Sequence, residues 1–227
     1  MLEITANDNG KMRRADYQRS QLVFHALYNS NDLSIEQYIR FYNDGSTRKY
    51  YKYGPIEYPF STEGLSAPAL NLLDVLEKNL NKLDVQPGYP DWWGDHNSTW
   101  CNLLGFRVAI DLRRDITPLL EPGGIDYTNA DAAAQNARNA SRDIIFECTK
   151  NAAQYYANRG CLVLALAEDP HPERSGHMGV VAPSNNPQHK IDPLIGQQGI
   201  NPGFREASKS FGESEVRYYL IIILNEE

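Results

Sequence analysis

The apolar pattern of this chain changes period at Gly160. Up to that point hydrophobic residues recur three and four apart, as on one side of a helix. Beyond it they come in short unbroken runs, at 161–167, 176–182, 193–198 and 216–224. A stripe at helical spacing and a run of alternating faces cannot be exchanged, because side chains repeat every 3.6 residues in a helix and every second residue in a strand. Short apolar runs bounded by turn residues are buried strands, and the short linkers between them suit an antiparallel meander. Helices followed by a sheet make an α+β fold.

Before the break, two short helical patterns are expected between residues 17 and 42. Leu22, Val23, His25 and Ala26 belong to the first, and Ile35, Tyr38, Ile39 and Tyr42 to the second. Residues 48–60, rich in tyrosine and containing Pro55 and Pro59, read as irregular or edge-strand structure. A helix opens at Ser66-Ala67-Pro68, with Leu70, Leu73, Val75, Leu76 and Leu80 as its apolar stripe. The alanine-rich segment 129–139 is helix-compatible. Residues 142–158 read as one amphipathic helix, with Ile144, Ile145, Cys148, Ala152 and Tyr155 on its apolar side. Gly160 ends it. The chain divides into an N-terminal extension of unassigned role, 1–65, and a domain over 66–227.

The stretch Asn97-Ser98-Thr99-Trp100-Cys101-Asn102 leads into an almost wholly apolar segment, 103–110. Ser98 or Thr99 can cap the free amides of a helix start. Leu103, Phe106 and Ile110 recur at helical spacing, while Leu104 and Val108 fill a second side. A helix apolar on most of its circumference is buried. Cys101 then stands in the first turn, where the positive end of the helix dipole lowers a thiol pKa and favours a nucleophilic thiolate. The plain alternative is a small core residue. Trp92 and Trp93, in the loop just before, suit either a substrate groove or packing on this helix.

A thiolate nucleophile needs a partner that carries its proton, and that partner needs a group to orient it. His177 is the best candidate, at the start of a strand run and flanked by Gly176 and Gly179. Its face of the strand continues through Gly179 and Val181 and is expected to point at the central helix; the alternative is a histidine satisfied in the core. Of Gln197 and Gln198, which alternate in direction, only one is expected to face inward. Gln197 shares a face with Ile195, which favours it as the orienting group, with Asp192 and Glu168 as alternatives. The backbone N–H of Cys101, helped by Asn97 or Asn102, would hold the oxyanion.

These boxes, taken in order, resemble papain-like cell-wall hydrolases of bacteria and phages, the NlpC/P60 and CHAP group. Ser98-Thr99-Trp100-Cys101-Asn102 is similar to their nucleophile segment. Residues 153–160 followed by an apolar strand resemble their helix and first strand. Gly176-His177-Met178-Gly179-Val180-Val181 is similar to their histidine strand, and Ile195-Gly196-Gln197-Gln198-Gly199 to the strand that follows. The resemblance covers residues 90–224. It implies a papain-like α+β fold with a buried nucleophile helix packed on an antiparallel sheet. It also implies Cys101 as nucleophile, His177 as base and Gln197 as third member, with Asn97, Asn102, Trp93 and Trp100 at the oxyanion and substrate positions. No cofactor or metal is implied. The implied partner is a peptidoglycan stem peptide, and the implied activity is that of a cysteine amidase or endopeptidase.

The net charge of −7 argues against a nucleic-acid partner, since such binding runs on cationic contacts. Residues 1–8 show no basic segment leading into an apolar run, so no signal peptide is expected. The longest aliphatic run, 218–224, is too short to span a bilayer as a helix. The expectation is a chain made in the cytoplasm and acting on the wall after export or lysis. As an exported antibacterial effector it would have a secretion-apparatus or immunity partner; a phage lysin is the other reading. Three cysteines make no disulfide framework in a chain this long; Cys148 and Cys161 either pair or are core thiols. Two other functions compete. One is a non-catalytic binding module on the same scaffold, using the tyrosine-rich segment. The other is a metal hydrolase built on His171, His177, His189 and Asp169, whose spacing matches no helix-based metal motif.

Overall fold

The computed structural model describes residues 22–28, 35–42, 47–53, 56–82, 86–87, 101–120, 129–169, 176–198 and 202–222. The fold is α+β. A four-stranded antiparallel sheet comes first, from β1 (Leu22–Tyr28), β2 (Ile35–Tyr42), β3 (Thr47–Tyr53) and the short β4 (Gln86–Pro87), in that order. The segment expected as two helical patterns between residues 17 and 42 therefore contains strands instead. Ile35, Tyr38, Ile39 and Tyr42 do have helical spacing, but Ile, Tyr and Phe are also the residue types that strands prefer. Pairing with β1 and β3 decides the outcome.

The second sheet has six strands: β5 (Ile145–Cys148), β6 (Val163–Ala167), β7 (His177–Val181), β8 (Leu194–Gln197), β9 (Gly203–Glu206) and β10 (Val216–Ile221). Their spatial order is β5-β10-β6-β7-β8-β9, and every neighbouring pair is antiparallel. The expected meander holds from β6 to β8, and β9, a strand not expected from the sequence, continues it. The last expected strand departs from it, because β10 returns to lie between β5 and β6.

The helix expected over residues 142–158 is in fact a strand and a shorter helix. β5 pairs with β10, and α4 (Lys150–Ala157) starts afresh at Thr149. The Thr149 side chain accepts the N–H of Ala152, a cap that the continuous apolar stripe conceals. The turn that follows α4 closes at Gly160, whose φ of +79° places it in the left-handed region; a Cβ there would also meet the Pro68 carbonyl oxygen at 2.4 Å.

Two helices stand behind the site strands. In α1 (Ala67–Lys82), Leu72, Leu76 and Leu80 are wholly buried or nearly so, whereas Leu70 is exposed. In α2 (Cys101–Asp111), the buried side is Cys101, Leu104, Gly105, Phe106, Val108 and Ala109. The expected stripe of Leu103, Phe106 and Ile110 is only partly covered: Phe106 is buried, Leu103 half-buried and Ile110 exposed. Each large side chain buried here, Phe106 for example, contributes roughly 1.5–3 kcal/mol. Buried Asn79 joins the two helices, its Nδ2 donating to Val75 O at 2.9 Å and to Asp111 Oδ2 at 3.1 Å. Helix α2 approaches the sheet through Gly105, where a Cβ would meet Met178 Sδ at 2.5 Å and Leu164 Cδ2 at 3.2 Å.

The described residues also form α3 (Ala130–Asn139), capped by the Asn129 side chain, and the short α5 (Ala207–Phe211). Ile56, Tyr58 and Phe60 pack against the main core, and the Tyr58 hydroxyl donates to Pro183 O at 2.7 Å. Buried Gln154 of α4 donates to Ala182 O at 2.8 Å and to Asn158 Oδ1 at 2.9 Å, and accepts the N–H of Leu194 at 3.0 Å. It thus ties the end of β7 to the start of β8. Among the described residues no helix is long and apolar enough to cross a membrane.

Candidate active site

The site is assembled from the first turn of α2, the first residue of β7 and the last residue of β8. Cys101 opens α2 and is buried. Its thiol lies 3.9 Å from Gly176 O, as donor to that carbonyl, and within hydrogen-bonding reach of the His177 imidazole. His177 Nε2 lies 3.0 Å from Gln197 Oε1. That leaves Nδ1 as the ring nitrogen for the sulfur. The Phe211 ring meets the imidazole edge-on, with centroids 4.9 Å apart.

Burial of the ring pulls the His177 pKa down. The charge and hydrogen bond of the Cys101 sulfur, together with the Gln197 hydrogen bond, push it back and leave it above the ordinary histidine value. An imidazole set between a thiol and an amide oxygen can take up the thiol proton while its far nitrogen is held.

The face of β7 that meets α2 is not the one expected. Met178, not Gly179, lies against Gly105 of the helix. His177 lies on the opposite face, with Gly179, Ile195 and Gln197, and reaches Cys101 from the very start of the strand. The flanking glycines are needed, but chiefly by the sheet itself. A Cβ at Gly176 would meet Ala167 O at 2.2 Å, and one at Gly179 would meet Ile195 Cγ2 at 2.3 Å.

Both glutamines are buried, where only one was expected to face inward. Packing covers both faces at this end of β8. Leu76 of α1 lies against Gly196 on one face, and His177 with Phe211 occupies the other. The alternative orienting groups are engaged elsewhere: Asp192 accepts from the N–H of Ser208 at 3.0 Å, and Glu168 pairs with Arg138. Asn102 follows Cys101 in the first turn and is half-buried. Trp93, Asn97 and Trp100, with the capping residues Ser98 and Thr99, lie outside the described residues, as does His171.

His189 is buried in the connection between β7 and β8, with its Nδ1 2.6 Å from Ser184 Oγ. Among the described residues no three His, Cys, Asp or Glu side chains form a group that could hold a metal. All three cysteines are free thiols, so Cys148 and Cys161 do not pair. Burial and the neighbouring Glu147 push the Cys148 thiol up to about 11.

Two residues at the site were not singled out in the sequence. Phe211 carried no local signal. Asp131 stands in the first turn of α3, where an acidic residue is ordinary. Its carboxylate accepts the N–H of Gly176 at 2.9 Å and that of Asp169 at 3.0 Å. Compared with known proteins, the chain matches no family model and no curated sequence.

Proposed function

We propose that the protein is a papain-like cysteine hydrolase, an amidase or endopeptidase that cuts an amide bond in peptidoglycan stem peptides. The observation that carries this reading is the placement of His177 between the Cys101 sulfur and Gln197 Oε1. In the reaction, the Cys101 thiolate adds to the amide carbonyl, and the Cys101 backbone N–H at the helix start steadies the oxyanion. Imidazolium His177 gives its proton to the leaving amine, and the C–N bond breaks to leave a thioester. Neutral His177 then takes a proton from water as the hydroxide adds, and the thioester opens to release the acid and the thiol. Peptidoglycan as substrate rests on the resemblance of the four sequence boxes. Its delivery, by export as an antibacterial effector or by phage lysis, rests on the same ground.

The test is digestion of purified sacculi with mass spectrometry of the released muropeptides. Wild-type protein should release fragments whose new termini identify the cut bond, and Cys101→Ala and His177→Ala should release none. Full activity in Cys101→Ala would end the proposal. Cys101 is only 1 % exposed, which favours a second reading, a binding module on this scaffold without turnover. Such a module would retain sacculi in a pull-down and release nothing.

A further inference from the structure

Asp131 reaches the site from a helix that otherwise takes no part in it. Its two carboxylate oxygens hold Asp169, just past the end of β6, and Gly176, just before the start of β7. The same residue, Gly176, presents its carbonyl to the Cys101 sulfur and precedes His177 in the chain. Contact there is close enough that a Cβ on Gly176 would meet Asp131 Oδ1 at 2.6 Å. One side chain of α3 therefore fixes both ends of the β6–β7 connection. Hydrogen bonds from backbone N–H groups to an ionised carboxylate are about twice as strong as neutral ones. Helix α3 has a second anchor to the same region, the pair between Arg138 and Glu168, which involves neither Gly176 nor the thiol.

We propose that Asp131 is a positioning residue: by gripping the Gly176 and Asp169 amides it sets the start of β7, and hence His177, in register with the Cys101 sulfur. This rests on reading Cys101 and His177 as the reactive pair. In Asp131→Asn one oxygen becomes an NH2 group, which confronts a backbone N–H with another donor. The helix, its cap and the Arg138–Glu168 pair are retained.

The test needs no substrate. The rate at which iodoacetamide alkylates each cysteine is followed by peptide mass spectrometry from pH 5 to 10. Wild-type Cys101 should react at neutral pH well ahead of Cys148. In Asp131→Asn that neutral-pH reactivity should fall about 10-fold, as a displacement of catalytic geometry would cause, and the profile should shift toward that of an ordinary thiol. Arg138→Ala should keep the wild-type profile, which separates positioning by Asp131 from general anchoring of α3. An unchanged profile in Asp131→Asn would overturn the proposal. So would an equal loss in Arg138→Ala, or Cys148 becoming as reactive as Cys101 in Asp131→Asn, since unfolding would then explain the effect. If wild-type Cys101 itself shows no advantage over Cys148, the reactive-pair reading fails and this inference falls with it. An advantage that persists unchanged in both variants removes only the role of Asp131.

Discussion

Gln197 Oε1 accepts from His177 Nε2 at 3.0 Å, across neighbouring strands of the six-stranded sheet. An amide oxygen can hold an imidazole ring without competing for its proton, as a carboxylate would. Replacing Gln197 by Ala should lower kcat on muropeptides about five- to tenfold, the equivalent of one net hydrogen bond of ~1–1.4 kcal/mol. KM should change little, because the ring and not the substrate loses its hold. A kcat equal to wild type would show that the amide does not orient the ring.

The charge state of His177 should depend on its sulfur neighbour. Burial lowers its pKa, while the Cys101 charge and hydrogen bonds raise it above the ordinary value. Removing the sulfur in Cys101→Ala leaves burial opposed by Gln197 alone, so the value should drop, as read by NMR titration of the imidazole. The raised value also means that protonation of His177 favours the folded state. That contribution is complete below about pH 6.5, the unfolded value, and is lost as pH rises through the folded one. An imidazole that titrates identically in wild type and Cys101→Ala would break the link.

The thiols should separate by reactivity. Cys148, at about 11, holds roughly a hundredfold less thiolate at neutral pH than an ordinary cysteine. At pH 7.5 a limiting amount of iodoacetamide should therefore label Cys101 and leave Cys148 intact. Preferential labelling of Cys148 would contradict both the environment of Cys148 and the pairing at Cys101.

The fold itself can be tested at Gln154, whose amide satisfies Ala182 O and the Leu194 N–H in the interior. Gln154→Leu keeps the approximate volume but strands both backbone groups without partners. The expected loss is about 2–6 kcal/mol in urea unfolding, since each stranded group costs roughly 1–3 kcal/mol. A loss under 1 kcal/mol would mean that the backbone groups find other partners.

What the sequence made legible follows from the range of the interactions involved. Helix α1, helix α2 and strands β6, β7 and β8 have their own apolar patterns, and Cys101, His177 and Gln197 each stand at the boundary of such a segment. The misread segments are those where a local pattern fits two structures. Ile144, Ile145 and Cys148 continue the stripe of Ala152 and Tyr155, yet Thr149 interrupts the chain and partner β10 lies some seventy residues away. Phe211 meets the imidazole and Asp131 the Gly176 amide beside it only through tertiary packing, which leaves no trace at their own positions. The face by which β7 meets α2 was misassigned for the same reason. Alternation pairs His177 with Gly179, but only the docked helix shows that Met178 takes the contact.

The position of β10 between β5 and β6 carries a consequence for synthesis. Every residue of β6 is buried, yet the strand that shields one of its edges is translated about fifty residues later. At ~5–20 residues per second, that edge stays open for roughly 2–10 s after it emerges. During that interval a nascent chain offers an apolar strand with unpaired backbone to any neighbour on the same polysome. A product stopped before residue 216 would keep that liability permanently, with the thiol and imidazole already made but the sheet beneath them unfinished.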